Sequence, residues 1–214
     1  MTPEMRKENT EALLAREGIP FLPSLPCVER EEDTTLRSPE EVGIRILCLF
    51  CVSGYAFESS IDTFKTYLKE HNLWTHLTPG EESFLGSVTP NRKDVINFSW
   101  RCEALFLLMW AANLFETLGL PRCETDTSQI IAKMPSADES PWPFIRSLRL
   151  RSTSEILDAS DLIYRLHWAT RNSNLKGEMA PGGLITGIVQ EWHHAINWIT
   201  KYGEEEWDDV ATDT

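Results

Sequence analysis

The sequence has 214 residues, of which 20 are basic and 33 acidic, giving a formal net charge of -13. One domain of about 100–200 residues accounts for this length, and such a domain buries a core large enough to need no disulfide or metal. The excess of carboxylates opposes binding to phosphate backbones and to anionic lipid headgroups, so we expect neither a nucleic acid nor a membrane partner. We therefore predict a single domain over residues 1–214.

The cellular compartment follows from the N-terminus, the hydropathy and the cysteines. The first residues mix acidic and basic side chains with no apolar run behind them, so we expect no signal peptide. The longest apolar run, residues 104–112, is about half as long as a bilayer requires. Five cysteines, an odd number, fit reduced thiols better than a disulfide framework. We therefore expect a cytoplasmic protein.

Hydrophobic residues recur with helical spacing along almost the whole chain, and no segment alternates apolar with polar residues as a strand would. A Pro-rich extended segment over residues 18–33 follows the first helix, because proline interrupts helices. An irregular stretch over 122–144, with one helical turn around Ile130, precedes the last two helices, and an acidic tail over 203–214 ends the chain. The predicted helices cover residues 2–16, 39–55, 60–71, 79–85, 91–118, 153–172 and 184–202.

Three of the predicted helix starts carry a capping box, in which a Ser or Thr lies three positions before a Glu. The hydroxyl accepts a backbone N–H of the first turn, and the carboxylate reaches back to the N–H of the cap residue. In the first two boxes a proline occupies the first helical position, which suits it. The pairs are Ser38 with Glu41, Thr78 with Glu81, and Ser152 with Glu155.

Two predicted helices, 39–55 and 91–118, have little polar surface. The first carries Arg45 within its apolar part, and the second carries Arg101 and Glu103 within its own. A helix that is apolar all round belongs in the centre of a bundle. We predict an all-α fold, a single irregular multi-helix bundle with these two helices at its centre.

Arg45, Arg101 and Glu103 are therefore the first candidate site. A buried carboxylate is strongly disfavoured without a cation, so we expect Glu103 to pair with Arg45 on the neighbouring helix. The structural interpretation of these charges is a buried salt-bridge network that fixes helix register. The functional alternative is a polar pocket between helices, in which Arg45 and Arg101 bind an anionic ligand and Glu103 is a candidate catalytic acid or base.

The last predicted helix has an apolar stripe that keeps one side on the core, and two polar strips beside it. One strip holds Gln190, His193 and Asn197, and the other holds Glu191 and His194. His193 is a candidate general base, and Glu191 and Asn197 are candidate ligand-binding residues, although a structural histidine is the commoner case. Adjacent imidazoles diverge by about 100 degrees around a helix, so we expect no metal site, with His193 and His194 only weak candidate ligands.

Three further patterns favour structural roles. Cys48 and Cys51 form a CxxC in the middle of an apolar helix, where a reactive redox pair would lie at a helix start, so we expect buried thiols. Asp161 and Arg165, one helical turn apart, are predicted to form an ordinary surface pair. The turn at residues 181–183 lacks the spacing of a P-loop or dinucleotide motif, so no cofactor is expected.

Short segments from one end of the chain to the other carry a family resemblance. They are Gly18-Ile19-Pro20, Leu25-Pro26, Ser38-Pro39-Glu40-Glu41-Val42 with Arg45, Leu77-Thr78-Pro79, Phe84-Leu85, Trp100-Arg101-x-Glu103-Ala104-Leu105, Trp110-Ala111, Pro181-Gly182-Gly183-Leu184, Glu191-x-His193-x-Ala195-Ile196-Asn197-Trp198 and Trp207-Asp208-Asp209-Val210-x-Thr212-x-Thr214. With these segments the sequence resembles the bacterial family catalogued as domain of unknown function 4272. It departs from that pattern at Trp192, where the family has arginine.

The resemblance implies one intracellular domain and brings no established activity, substrate or cofactor. It also places the charged candidates and the acidic tail in one pattern. From this we expect Trp207 to pack against the fold, with Asp208 and Asp209 capping a helix or pairing with Arg45 or Arg101.

Two functional hypotheses follow from the sequence. The leading one is a non-enzymatic interaction or regulatory binding module, with an immunity-type role as one form of it, whose acidic surface suits a basic protein partner. The alternative is an enzyme or small-ligand receptor that uses Glu103 and His193 as acid and base, with Arg45 and Arg101 as anion ligands. A metal protein built on His193 or His194 is a weaker third hypothesis.

Overall fold

The computed structural model describes residues 1–58 and 62–214. Within these two ranges the chain forms nine α-helices and no strand, which confirms the all-α prediction. No helix of the described residues has the length and apolar character needed to cross a membrane. The helices are α1 (Pro3–Arg16), α2 (Pro39–Phe57), α3 (Thr63–Glu70), α4 (Pro79–Gly86), α5 (Arg92–Ala111), α6 (Thr127–Ile131), α7 (Trp142–Ser147), α8 (Thr153–Leu175) and α9 (Thr186–Ile199). The predicted start of the third helix at Ser60 lies outside the described residues.

The helix starts follow the local chemistry of the sequence. All three predicted capping boxes form, at the starts of α2, α4 and α8. In α2, for example, the Ser38 hydroxyl accepts the Glu41 N–H at 3.2 Å and the Glu41 carboxylate accepts the Ser38 N–H at 2.7 Å. These contacts lie within four residues of one another, so no tertiary structure is needed to specify them.

The largest error in the predicted helix boundaries is at the end of α5. α5 ends at Ala111 and not at residue 118, because Asn113 adopts a left-handed conformation with φ of 60°. The N–H of Leu114 then donates to the carbonyl of Met109 at 2.9 Å, which closes the helix as a Schellman motif. In addition, α7 forms where an irregular stretch was predicted, because its prolines fall in or just before the first turn, where proline is tolerated.

The five longest helices pack in the spatial order α1, α8, α9, α5 and α2, with α3, α4 and α7 on the outer side of α2. The predicted central pair, α2 and α5, is in direct contact. Two glycines permit close approach: a Cβ on Gly187 of α9 would lie 2.9 Å from the Trp100 ring, and one on Gly43 of α2 would lie 2.9 Å from the Leu148 side chain.

α9 is buried nearly all round, and the prediction that only one side faces the core was wrong. The reason is the C-terminal segment, residues 203–214, which turns back and covers the helix. Lys201 and Gly203 both have positive φ, 54° and 69°, and they reverse the chain direction just after α9. Trp207 and Val210 of the segment then join the core cluster that contains α9.

Candidate functional site

Arg45 on α2 pairs with Glu81 of α4, so the prediction that it pairs with Glu103 was wrong. The Arg45 Nη2 and Glu81 Oε2 atoms are 2.6 Å apart, and the two residues are 5% and 1% exposed. Glu81 accepts the Thr78 N–H at 3.0 Å with the same oxygen, so it serves as helix cap and as ion-pair partner. The first turn of α4 thereby anchors the helix to the core.

Glu103 on α5 is stabilised by hydrogen bonds and has no cation among its partners in the described chain. Its two oxygens accept the backbone N–H of Thr125 at 2.8 Å and the Thr125 hydroxyl at 2.7 Å. Burial raises the pKa of Glu103, and the two hydrogen bonds oppose that rise. The carboxylate therefore holds the segment before α6 against α5.

Arg101 on α5 pairs with Glu191 on α9, with 3.0 Å between Nη1 and Oε2. Burial raises the pKa of Glu191, and the Arg101 guanidinium opposes that rise. This bond links the two helices at the middle of the packing order. The ion pair gives Arg101 and Glu191, both candidate ligand-binding residues, a structural partner.

Trp207 is 2% exposed and lies between the two arginines and α9. Its ring centroid is 5.3 Å from that of Trp198 and 4.7 Å from that of His194, both edge-on. The guanidinium carbons of Arg45 and Arg101 lie 5.2 and 5.9 Å from the same centroid, within the range of cation–π attraction. The expected packing of this tryptophan is confirmed.

The acidic tail also caps a helix. Asp208 Oδ2 accepts the backbone N–H of Gly80 at 3.1 Å, in the first turn of α4. A carboxylate at a helix N-terminus is stabilised by the unpaired N–H groups there. The expected capping by Asp208 is confirmed, and the segment is tied to α4 as well as to α9.

Asp161 and Arg165 of α8 form a buried pair, and the prediction of a surface pair was wrong. Both residues are 0% exposed, and two guanidinium nitrogens contact the two carboxylate oxygens at 3.0 and 2.8 Å. Arg165 also donates to the carbonyl of Pro26 at 3.0 Å. The Pro-rich segment therefore covers this face of α8, which the helical spacing alone does not reveal.

Cys48 and Cys51 are buried as predicted. Burial raises the pKa of the Cys48 thiol to about 11 and raises that of Cys51 well above its ordinary value. Thiols that stay protonated at neutral pH are poor nucleophiles and poor metal ligands.

His193 on α9 is hydrogen-bonded to His167 on α8, with 2.6 Å between the two Nδ1 atoms. Burial lowers the pKa of His167 to about 4 and that of His193 to about 3. Both imidazoles are therefore neutral at pH 7, one donating and the other accepting. His167 is not predictable from the sequence, because nothing in its own helix indicates which residue of α9 lies opposite.

His194 points to a different part of the molecule, as the divergence of adjacent side chains predicts. It lies against Trp207, and burial lowers its pKa to about 3. No group of three or more His, Cys, Asp or Glu residues in the described part of the chain is arranged to hold a metal ion.

A cleft of about 540 Å³ opens beside the histidine pair, between the Pro-rich segment, α8, α9 and the C-terminal segment. This volume is within the range of ligand sites, about 300–1,000 Å³. Of the candidates from the sequence, His193 and Asn197 line it, whereas Arg45, Arg101, Glu103 and Glu191 do not. The polar residues of its lining include Glu29, Tyr164, Arg171, His193, Asn197 and Asp213.

The cleft contains groups that could act as nucleophiles, but no assembled nucleophile and base. Cys27 and Ser160 line it together with His193. Within the described residues, no hydrogen bond joins either side chain to an imidazole. A nucleophile activated by histidine lies within hydrogen-bond reach of it, and neither Cys27 nor Ser160 is in that arrangement with His193.

Comparison with known proteins gives a family and no closer relative. Neither the curated proteins nor the solved structures yield a match to the chain. A family model described as Domain of unknown function (DUF4272) matches residues 6–210, from α1 into the C-terminal segment beyond Trp207. The chain therefore belongs to the DUF4272 family.

Proposed function

We propose that this chain is a non-catalytic binding module of the bacterial cytoplasm, with a regulatory or immunity-type role, and that its partner is a basic protein. The observation that carries the proposal is the meeting of two acidic segments at one cleft. The Pro-rich segment contributes Glu29 to the lining, and the C-terminal segment contributes Asp213.

The exposed carboxylates of these two segments give this side of the molecule a negative surface. Some are already engaged: Asp208 caps α4, Glu206 lies 3.9 Å from Arg37, and Glu32 lies 3.5 Å from Arg30. A surface of one charge sign steers an oppositely charged partner and speeds its association. The exposed acidic residues are Glu29, Glu31, Glu32 and Asp33 in the first segment and Glu204, Glu206, Asp208, Asp209 and Asp213 in the second.

The enzymatic alternative has less support in the geometry. Glu103 is committed to Thr125, and His193 is committed to His167. General acid–base catalysis works best with a pKa near the operating pH, and the pKa of His193, lowered by burial to about 3, lies far from neutrality. The receptor form of that alternative keeps two supporting observations. His193 and Asn197 line one open cleft, and Arg45 lines another of about 430 Å³.

The test is the binding of a fluorescent lysine-rich peptide to the full chain, measured by anisotropy. A glutamate-rich peptide of equal length is the control for charge. We expect only the lysine-rich peptide to bind, and to bind more weakly as salt rises from about 50 to 500 mM, because screening shortens the reach of exposed charges.

A matched pair of variants separates this surface from overall charge. The first replaces Glu29, Glu31 and Glu32 with glutamine. The second replaces three exposed glutamates elsewhere, Glu70, Glu116 and Glu178. We expect only the first triple variant to weaken binding markedly. Equal weakening in both variants, or no binding of the lysine-rich peptide at low salt, would overturn the proposal.

A further inference from the structure

We infer that the cleft beside the histidine pair is a recognition pocket for one cationic side chain, a lysine or an arginine, of the basic partner. The inference rests on the proposed function and deepens it, because it names the group that is recognised and the residues that recognise it.

Asn197 supplies a hydrogen-bond acceptor at the cleft. The residue is 6% exposed and lines the cleft. Its Nδ2 donates to the carbonyl of Ala211 at 2.8 Å, and since a carbonyl only accepts, this bond fixes which amide atom is which. Oδ1 then receives no hydrogen bond from the described residues. This oxygen is not one of the buried atoms that lack a partner, so it is accessible from the cleft and can accept a hydrogen bond from a ligand that brings a donor.

The charged residues that line the cleft favour a ligand whose hydrogen-bond donor carries a positive charge. The carboxylates of Glu29 and Asp213 form no ion pair with any residue that the structure describes. The guanidinium of Arg171, which also lines the cleft, donates to the Thr214 hydroxyl at 3.0 Å and keeps its positive charge. With the carboxylates of Glu29 and Asp213 against this one guanidinium, the described lining has a net charge of -1, which favours a cationic ligand over an anionic one.

The floor of the cleft does not repel a cation. His193 lines the cleft and is hydrogen-bonded to His167, and burial lowers the pKa of both imidazoles, so both are neutral at pH 7. Tyr164 and Tyr202 add aromatic rings to the lining. Aromatic rings attract cations and pack well against the alkyl stem of lysine or arginine. The cleft therefore offers an acceptor, negative charge and apolar surface together.

The experiment is an NMR titration of the ¹⁵N-labelled full chain with three small probes. They are the Nα-acetyl methylamides of lysine, of arginine and of norleucine, the last of which has an alkyl chain without the charge. We expect saturable shifts of the Asn197 side-chain amide, and of backbone amides around the cleft, with lysine or arginine and none with norleucine. The relative affinity of the two cationic probes identifies the preferred side chain.

A matched pair of variants tests which carboxylate contributes to binding of the cationic probe. Asp213→Asn removes a carboxylate from the lining, and Asp209→Asn removes an exposed one from the same segment but outside the cleft. We expect Asp213→Asn to weaken binding of the cationic probe about two- to fivefold, as for an exposed ion pair. Asp209→Asn should leave it unchanged.

The outcomes distinguish this inference from the proposed function. If norleucine shifts the same resonances as lysine and arginine, if none of the three probes binds, or if the two variants weaken binding equally, the pocket inference is overturned. The proposed function survives each of these results as long as the lysine-rich peptide still binds the full chain. If that peptide also fails to bind, both are overturned.

Discussion

His167 and His193, 26 positions apart in the sequence, share a hydrogen bond of 2.6 Å between their Nδ1 atoms in the interior of the protein. The bond needs one ring that donates and one that accepts. If both rings were protonated, two N–H groups and two positive charges would face each other. The bond therefore excludes the doubly protonated pair, and burial disfavours the first proton as well by lowering the pKa of both imidazoles.

The first prediction concerns stability at acid pH. The pKa of His193 falls from 6.5 to about 3 on folding, and that of His167 to about 4. Between those values and pH 6.5 the unfolded chain binds more protons than the folded one. The contribution of the pair to the free energy of unfolding is therefore fully present above about pH 6.5 and declines as the pH falls. Each imidazole contributes up to about 1.4 kcal/mol of loss per pH unit. Urea denaturation at pH 7 and pH 5 measures the decline.

A His167→Gln variant isolates this effect. Burial raises the pKa of Glu103 and of Glu191, so these carboxyls act in the opposite direction and gain stability as the pH falls. They are present in both proteins and cancel in the comparison. We expect the variant to lose less stability than the parent between pH 7 and pH 5. Identical losses would show that the pair is not held neutral by the fold.

The second prediction concerns Trp207, which holds the C-terminal segment on the fold. Trp207→Ala removes a ring that contacts Trp198, His194 and two guanidinium groups, so we expect a loss of about 3–5 kcal/mol in the free energy of unfolding. Tyr202→Ala, at a half-exposed position of the adjoining turn, should change stability by about 0.5 kcal/mol. Urea denaturation of both variants is the measurement, and similar small effects would contradict the anchoring role.

The third prediction concerns the buried pair of Arg45 and Glu81. Arg45→Met leaves the Glu81 carboxylate without its cation, and we expect a loss of about 3–5 kcal/mol. Adding Glu81→Gln, which keeps the helix cap, should recover at least about 1 kcal/mol, because the two residues are directly coupled. Arg30→Met breaks the exposed pair with Glu32 and should cost less than about 1 kcal/mol. Additive effects of the two buried substitutions would show that the pair is not coupled.

Helix starts were predictable from the sequence because their determinants are local. The capping box at Ser38 and Glu41, and the two others like it, need only four neighbouring residues. Burial was less predictable, because it depends on which segments return to cover a helix. The stripe on α9 predicts one buried face, and nothing in that stripe reveals that Trp207 covers another.

The fourth prediction concerns the end of α5, where Asn113 takes a conformation usually left to glycine. An alanine in the left-handed conformation is sterically strained, which lowers the free energy of unfolding by about 1–2 kcal/mol. Asn113→Ala should therefore be less stable than Asn113→Gly by about that amount, and both variants lose the same bond to the Arg149 carbonyl. Thermal or urea denaturation compares them. Equal stability of the two variants would contradict the left-handed conformation of residue 113 at the end of α5.

The partners of the candidate residues were harder to predict than the residues themselves. Arg45 is recognisable as a charge in an apolar helix, but Glu81 also caps α4, and the capping pattern alone does not indicate a second partner. His167 is not recognisable, because only the packing of α8 on α9 brings it to His193. The cleft combines the Pro-rich and C-terminal segments, and helical periodicity does not describe how either of them lies on the fold.

The central claim is that the acidic side of the molecule around the cleft binds a basic partner. The most direct measurement is a titration of the ¹⁵N-labelled full chain with the lysine-rich peptide, in which the shifted backbone amides are mapped onto the structure. We predict that they cluster in residues 26–29, 193–200 and 211–214. Shifts spread evenly over the acidic surface, or clustered at the apolar groove near Phe57 and Ile131, would contradict it.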